Sequence, residues 1–533
     1  MPSNKPARHR ITRLWSRPVD LLGLALALLY AAPALVYPHG NDQALHWYIG
    51  QGILLGELPF ESGVSGKPIG IFVVHAMSGV LFGNAQWAIR ALEALTLLIM
   101  APLLVTLLRM PGGERPRDGE VATAAVVLFS IHYTFFDYWD ISHPETWVGL
   151  CTLAATCVAL HDPRPARRVT LVGVLCGAGF MIKYTAAVIA LPIAAFCGLR
   201  AMLAARDRGS HPMTALFVAA GLFLLGVGAV FILCVLPFVI GGALEPMWEV
   251  LYTFTARYVK QAPGVPYTAL WTRLIFGGGA LIASGAALSI GLSVSALRSQ
   301  TRALQRGLLL LAITLAALLS VWLQKRFFSY HFMVAAPWLS ACIVYGLRAV
   351  LAHRARITST LAIALAAAAL WLEPAWCSHP KMSYARHMER TEAYLRGKMK
   401  RWSYLAAFTG MNYLDQYRVH ERIGLEAKRR SRPGDQLCAR GFAPAVYQVS
   451  GMRCPSRHVI QMWPAGLPEW EGEFHATIRK HRPRFIVTFA DRPHEVRQYR
   501  RLGYRPTRMP SIYLLMEHRG PRMQDTPTSR GLQ

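Results

Sequence analysis

Asp42 and Lys67 are the residues in this chain whose types and positions most suggest chemistry. Asp42 stands in Gly40-Asn41-Asp42-Gln43, a few residues past the first apolar stretch, and Lys67-Pro68 opens the next apolar run. Held together at a membrane surface, a carboxylate can take the proton of a hydroxyl nucleophile and an ammonium can neutralise a phosphate carried on a lipid. The pairing points to an enzyme with a lipid-linked substrate rather than to a passive pore.

Other polar residues could join them. Arg90 and Glu93 are three apart near the start of a long apolar stretch. They suit an intrahelical ion pair, yet charge inside a bilayer is expensive and marks function, so Arg90 is also a candidate for the donor phosphate. Lys183, between two apolar stretches, and Arg257 are further phosphate candidates of equal standing. Asp137, Asp140, His143 and Glu145 form a dense cluster. It reads as a solvated turn with a helix-start carboxylate, or as acceptor contact, or as a divalent-cation site, since carboxylate oxygens suit Mg²⁺ or Mn²⁺. Tyr330 and His331 occupy a short late turn. The working assignment is Asp42 as base, Lys67, Arg90, Lys183 and Arg257 on the donor phosphate, and Asp140, His143, Glu145, Tyr330 and His331 on substrate or acceptor. A lipid monophosphate beside Lys67 requires no metal, so no cofactor is expected, with a divalent cation left open. No Walker loop, dinucleotide glycine fingerprint or zinc spacing occurs, which favours a lipid-linked over a nucleotide-linked donor.

These residues need a membrane scaffold. The 533-residue chain is 53% hydrophobic and only 16% charged, with a mean hydropathy of +0.29, against the roughly 25% charge of soluble domains. Apolar residues gather into eleven spans of about membrane-crossing length, near 20–37, 86–108, 119–136, 146–160, 169–182, 184–199, 214–240, 274–295, 307–324, 332–350 and 357–374. No small-residue cleavage site follows the first, so it reads as retained. Arginines crowd alternate loops, for example Arg13 and Arg17, Arg115 and Arg117, Arg167 and Arg168, Arg206 and Arg208, Arg302 and Arg306. Positive residues stay cytoplasmic, so the amino terminus is expected inside and the segment beyond 374 outside, in the periplasm of a bacterial inner-membrane protein. The net charge of +28 then belongs against anionic headgroups or acidic glycans, not nucleic acid.

The organisation follows: a basic cytoplasmic arm over 1–19, a transmembrane catalytic domain over 20–374 whose first periplasmic loop (38–85) carries two interfacial helices, a periplasmic α/β domain over 375–518 and a disordered tail over 519–533. In the α/β domain helices are expected over 384–402, 419–431, 444–449, 469–480 and 493–501, with strands over 436–439, 485–489 and 512–516. Of nine cysteines, six lie in apolar spans. Cys438 and Cys454 flank one short α/β segment on the oxidising side, and a disulfide between them is expected.

Asp42, Lys67-Pro68, Leu81-Phe82-Gly83 and Arg90, in this order and spacing, resemble the membrane glycosyltransferases of the GT-C fold, in the aminoarabinose transferase and protein O-mannosyltransferase branch of family 39 type. Gly177–Thr185 with Lys183, and Phe328-Ser329-Tyr330-His331 with Pro337, add to the likeness. Two positions depart from it: Gln43 stands where a second acid is frequent, and Gly66 rather than an acid precedes Lys67. The resemblance implies a polytopic α-helical protein of about eleven transmembrane helices. It also implies inverting transfer of a sugar from a polyprenyl-phosphate donor to a lipid, glycan or protein acceptor, lipid A or lipopolysaccharide core among them. The rivals are a flippase for a lipid-linked sugar and an envelope scaffold. A transporter would place polar residues at the bilayer midplane in paired repeats, whereas here they gather at span ends and no repeat is found.

Overall fold

The computed structural model describes residues 18–109, 118–161, 164–261, 278–350, 384–408, 417–460, 468–507 and 513–518. All but the last two residues of the expected arm, the expected tail, the eleventh span and Cys377 lie outside those residues.

The chain is a helical bundle carrying an α/β domain at one end. The bundle begins with α1 (Pro18–Ala31), continued as a 3-10 turn over Ala32–Val36. Two helices of the first outward loop follow, α2 (Asn41–Leu54) and α3 (Gly70–Phe82). Then come α4 (Trp87–Leu107), α5 (Glu120–Phe135), α6 (Pro144–His161), α7 (Pro165–Ile182), α8 (Ala186–Asp207) and α9 (Pro212–Ile240). The segment after α9 folds as α10 (Leu244–Trp248), a π-helical turn (Glu249–Phe254) and α11 (Thr255–Gln261). Helices α12 (Gly278–Leu297) and α13 (Thr301–Leu323), a 3-10 turn (Ser329–Ala335) and α14 (Ala336–Val350) close the described bundle.

Eight helices among the described residues are long and apolar enough to cross a membrane. Two further expected spans are present as helices, α5 with 16 residues and α6 with 18. Close approach between helices rests on small residues, as it must where lipid is as apolar as the side chains. A Cβ on Gly173 would fall 2.2 Å from the Phe223 carbonyl oxygen, and one on Gly226 would fall 2.3 Å from that of Thr170, so α7 and α9 meet backbone to backbone.

The first loop differs in detail from expectation. Apolar spacing predicts a helix over 42–58 ended by Pro59; α2 instead stops at Leu54, and Gly56 turns the chain with φ +81°. The Leu81-Phe82-Gly83 motif is a helix stop: Gly83, at φ +80°, ends α3 in a conformation that side chains disfavour.

Helix α15 (Tyr384–Leu395) and the short α16 (Arg401–Leu405) replace one expected helix. Beyond them lie α17 (Tyr417–Arg430), β1 (Leu437–Ala439), α18 (Ala445–Ser450), α19 (Pro468–His481), β2 (Phe485–Phe489), α20 (Pro493–Arg501), β3 (Tyr504–Pro506) and β4 (Tyr513–His518). The sheet order is β1-β2-β4-β3. β1 and β2 are parallel, Cys438 opposite Ile486, while β4 runs antiparallel to both β2 and β3. Strand β3 has no counterpart in the sequence reading, because three residues with one buried side chain carry little alternation.

Candidate active site

The residues that could do chemistry meet at the end of the bundle facing the α/β domain, around the ring of Tyr330. Lys67 Nζ and Lys183 Nζ each lie 5.7 Å from its centroid. His143 stacks on it at 3.9 Å, and His331 meets it edge-on at 4.6 Å. Lys183 pairs with Glu145.

Local structure explains the convergence. Lys183 occupies the break between α7 and α8 in extended conformation, because the helix released at Ile182 restarts only at Ala186. Gly70, in the first turn of α3, brings Lys67 to it: a Cβ there would fall 2.5 Å from the Met181 carbonyl oxygen. Asp42 is in the first turn of α2, half-buried like Lys67. Burial raises its carboxyl above the ordinary range, Lys67 and Lys183 pull it back down, and Glu145 adds to the rise. Lys183 is pushed down to about 8 by burial, with Lys67 lowering it further and Glu145 opposing. The His143 imidazole is held well below its usual value, first by burial and then by Lys67, Lys183 and Arg90. An ionisable carboxylate, two cations and neutral imidazoles thus share one low-dielectric site, where charge interactions act strongly.

Arg90 is elsewhere. It is fully buried and its terminal nitrogens donate to the carbonyls of Ile141 (2.7 Å), Tyr138 (2.9 Å) and Pro38 (3.3 Å), to Gln43 Oε1 (3.0 Å) and to Ser142 Oγ (3.1 Å). A guanidinium so occupied has no terminal N–H to spare for a phosphate, which replaces the expected phosphate contact with a clamp. Nor does it pair directly with Glu93 among the described residues. Glu93 accepts from His132 Nε2 (3.0 Å), Ser142 Oγ (2.9 Å), Thr146 Oγ1 (3.1 Å) and the Ser142 amide. The two charges together bind the segment 137–146 from below.

Gln43 completes the clamp. Its Oε1 accepts from the Gly40 amide at 2.5 Å, closing the start of α2, while Nε2 donates to the carbonyls of Trp139 (2.9 Å) and Ile141 (2.5 Å). An amide has the donors this place requires and a carboxylate does not, so a second acid is physically incompatible with this arrangement.

The acidic cluster over 137–145 is dispersed among partners. Asp140 accepts from Ser329 Oγ at 2.5 Å, tying this segment to the Tyr330 turn, and Asp137 pairs with His387 of α15 at 3.0 Å. Among the described residues no three His, Cys, Asp or Glu side chains are grouped to hold a metal ion. Arg257 is exposed on α11, and its neighbour Tyr258 turns inward instead.

Arg326 was not singled out by sequence. Its guanidinium lies 4.3 Å over the Tyr258 ring and donates to the Tyr258 carbonyl at 3.3 Å. The turn that aims it holds Lys325 at φ +52° and Phe327 at φ +41°, strained positions of the kind that cluster at functional sites. The only sequence signal was its place four residues before Tyr330 in the same outer turn.

Cys438 and Cys454 face one another with sulfurs 2.8 Å apart, as thiols.

Residues 66–240 match the dolichyl-phosphate-mannose-protein mannosyltransferase family. The structure is similar to the crystal structure of ArnT from Cupriavidus metallidurans bound to undecaprenyl phosphate, with a TM-score of 0.58 and 13% identity over 93% of this chain and 97% of that one. It is also similar to the apo state of the same protein, with a TM-score of 0.56 at the same identity and coverage. No curated protein matches the chain in sequence.

Proposed function

The chain has the GT-C fold, and from that premise we propose that it is a membrane glycosyltransferase taking a sugar from a polyprenyl-phosphate carrier. The observation that carries this reading is the meeting of Asp42, Lys67 and Lys183 around Tyr330. Asp42 accepts the proton of the acceptor hydroxyl as that oxygen attacks the anomeric carbon. The bond to phosphate breaks on the opposite face, so the configuration inverts. Lys67 and Lys183 stabilise the charge that builds on the departing phosphate, and burial makes their effect larger than it would be in water. Arg326 is a third cation in reach of this region. The acceptor is a lipid, glycan or protein on the periplasmic face of a bacterial inner membrane; the undecaprenyl phosphate held by ArnT supports a polyprenyl carrier here.

Transfer of radiolabelled sugar from a polyprenyl-phosphate donor by the purified protein in vesicles tests this. Asp42→Asn is expected to slow transfer by roughly 10²–10⁴-fold while donor binding persists. Wild-type rates in that variant would remove the base assignment. Movement of the labelled lipid across the vesicle without transfer would favour a flippase.

A further inference from the structure

Two buried histidines near Asp42 have ring nitrogens that find no partner among the described residues. Among the described residues neither ring nitrogen of His143 has a hydrogen-bond partner, nor does His46 Nδ1, and both residues are at most 1% exposed. A buried polar atom left unpaired is costly, and native proteins keep few of them without reason.

Both residues are aimed by structure with no other evident purpose. His46 follows Asp42 by four residues in α2, so the two share a face of that helix. It lies 6.3 Å from His143, centroid to centroid, in an edge-on arrangement. His143 follows Ser142, which is held at φ +61° by the bonds to Glu93 and Arg90 described above. Strain at a non-glycine residue persists only where its surroundings over-determine it, and here it delivers an imidazole onto the Tyr330 ring beside both lysines.

We infer that His143 and His46 form the wall that holds the transferred sugar, and that this sugar is an uncharged, hydroxyl-bearing ring rather than an amino sugar. The inference rests on the donor reading above. A neutral imidazole offers one donor and one acceptor, which matches a hydroxyl, itself both. The surroundings keep these rings neutral, since Lys67, Lys183 and Arg90 all oppose a further positive charge at His143. The same charges repel a sugar ammonium. The carboxylates around Tyr330 offer it no counter-ion: Glu145 is taken by Lys183, Asp140 by Ser329, and Asp42 is required by the acceptor proton.

Equilibrium binding to the full-length protein in nanodiscs separates the possibilities, with three probes: undecaprenyl phosphate, an undecaprenyl-phosphate hexose and an undecaprenyl-phosphate amino-pentose. The hexosyl carrier is expected to bind about 10-fold tighter than the bare carrier, as two neutral hydrogen bonds would give, and tighter than the amino-sugar carrier. His143→Phe keeps the stack on Tyr330 and is expected to abolish most of that gain while changing bare-carrier affinity less than about twofold. His143→Asn, whose amide both donates and accepts, is expected to keep part of it, which also guards against a variant that fails to fold. Equal binding of hexosyl and bare carriers, a gain that survives in His143→Phe, or preference for the amino sugar would each overturn the inference. Failure of the bare carrier to bind wild-type protein would remove the donor reading and this inference with it. Loss of the Asp42 base assignment would leave the sugar wall intact.

Discussion

At the scale of single residues, charge and burial set the working pH. Asp42 must be ionised to accept a proton, and burial holds its carboxyl above the usual carboxylate range, so the rate is expected to climb with pH on a limb displaced upward from about 4. Lys183 loses its charge near pH 8, which weakens both its pairing with Glu145 and its attraction for phosphate, so the rate is expected to fall again around that pH. A pH–rate profile of Lys183→Arg should lack the alkaline limb, because a guanidinium does not titrate there. Lys67→Ala is expected to weaken donor binding by about 10–100-fold, the worth of one charge-assisted hydrogen bond, in a direct binding assay. Arg90 behaves differently: Arg90→Ala strands the buried carbonyls of Pro38, Tyr138 and Ile141, and is expected to cost roughly 3 kcal/mol or more of stability. Thermal unfolding in detergent measures this, and a variant that stays fully stable while losing donor affinity would restore Arg90 as a phosphate ligand.

At the scale of elements, the segment 137–146 is the part that holds the site in register. Arg90, Glu93 and Gln43 grip it from one side, Ser329 and His387 from the other. Its acids are therefore committed to holding backbone and side chains, and transfer is expected to proceed in excess EDTA at the rate seen without it. Complete loss of activity that Mg²⁺ or Mn²⁺ restores would reassign Asp140 and Glu145. The α7–α8 break does complementary work: without an extended residue at 183, the ammonium would follow the helix away from Tyr330.

At the scale of the whole molecule, the α/β domain grips the helix that carries Asp42. Arg453 pairs with Glu57, donates to the Tyr48 carbonyl at 2.8 Å and lies 3.8 Å over the Tyr48 ring. The Cys454 amide donates to Tyr48 Oη at 2.9 Å, and Asn41 Nδ2, one residue before Asp42, donates to the Phe442 carbonyl at 2.7 Å. On the other flank Arg457 pairs with Glu249 at 2.7 Å and Trp470 donates to the same carboxylate at 2.6 Å. Arg453→Ala is expected to cost about 2–3 kcal/mol of this docking, read as faster hydrogen exchange in α2 and a lower transfer rate with the domain itself still folded. The Cys438–Cys454 pair sits in the same gripping segment, so we propose that it forms a disulfide in an oxidising compartment; non-reducing peptide mapping that finds both thiols unmodified would count against it.

Much of the frame was legible because membrane insertion is written in composition and length: apolar stretches, arginine-rich loops and the Lys183 break all follow from the cost of placing polar groups in hydrocarbon. Asp42 and Lys67 stand out in the sequence because a carboxylate and an ammonium have few roles at a membrane surface. Arg90 was misjudged because a buried guanidinium clamping carbonyls and one binding phosphate look alike in sequence. Arg326 and the unpaired nitrogens of His46 and His143 were invisible, since orientation around a strained turn depends on contacts from elements far apart in the chain. The sequence by itself determined which segments are long and apolar enough to cross a bilayer and which residue types stand at their ends. Only the tertiary structure decided which of those charges meet, because a partner's distance is set by packing among α2, α6, α7 and the Tyr330 turn, and no local pattern encodes it.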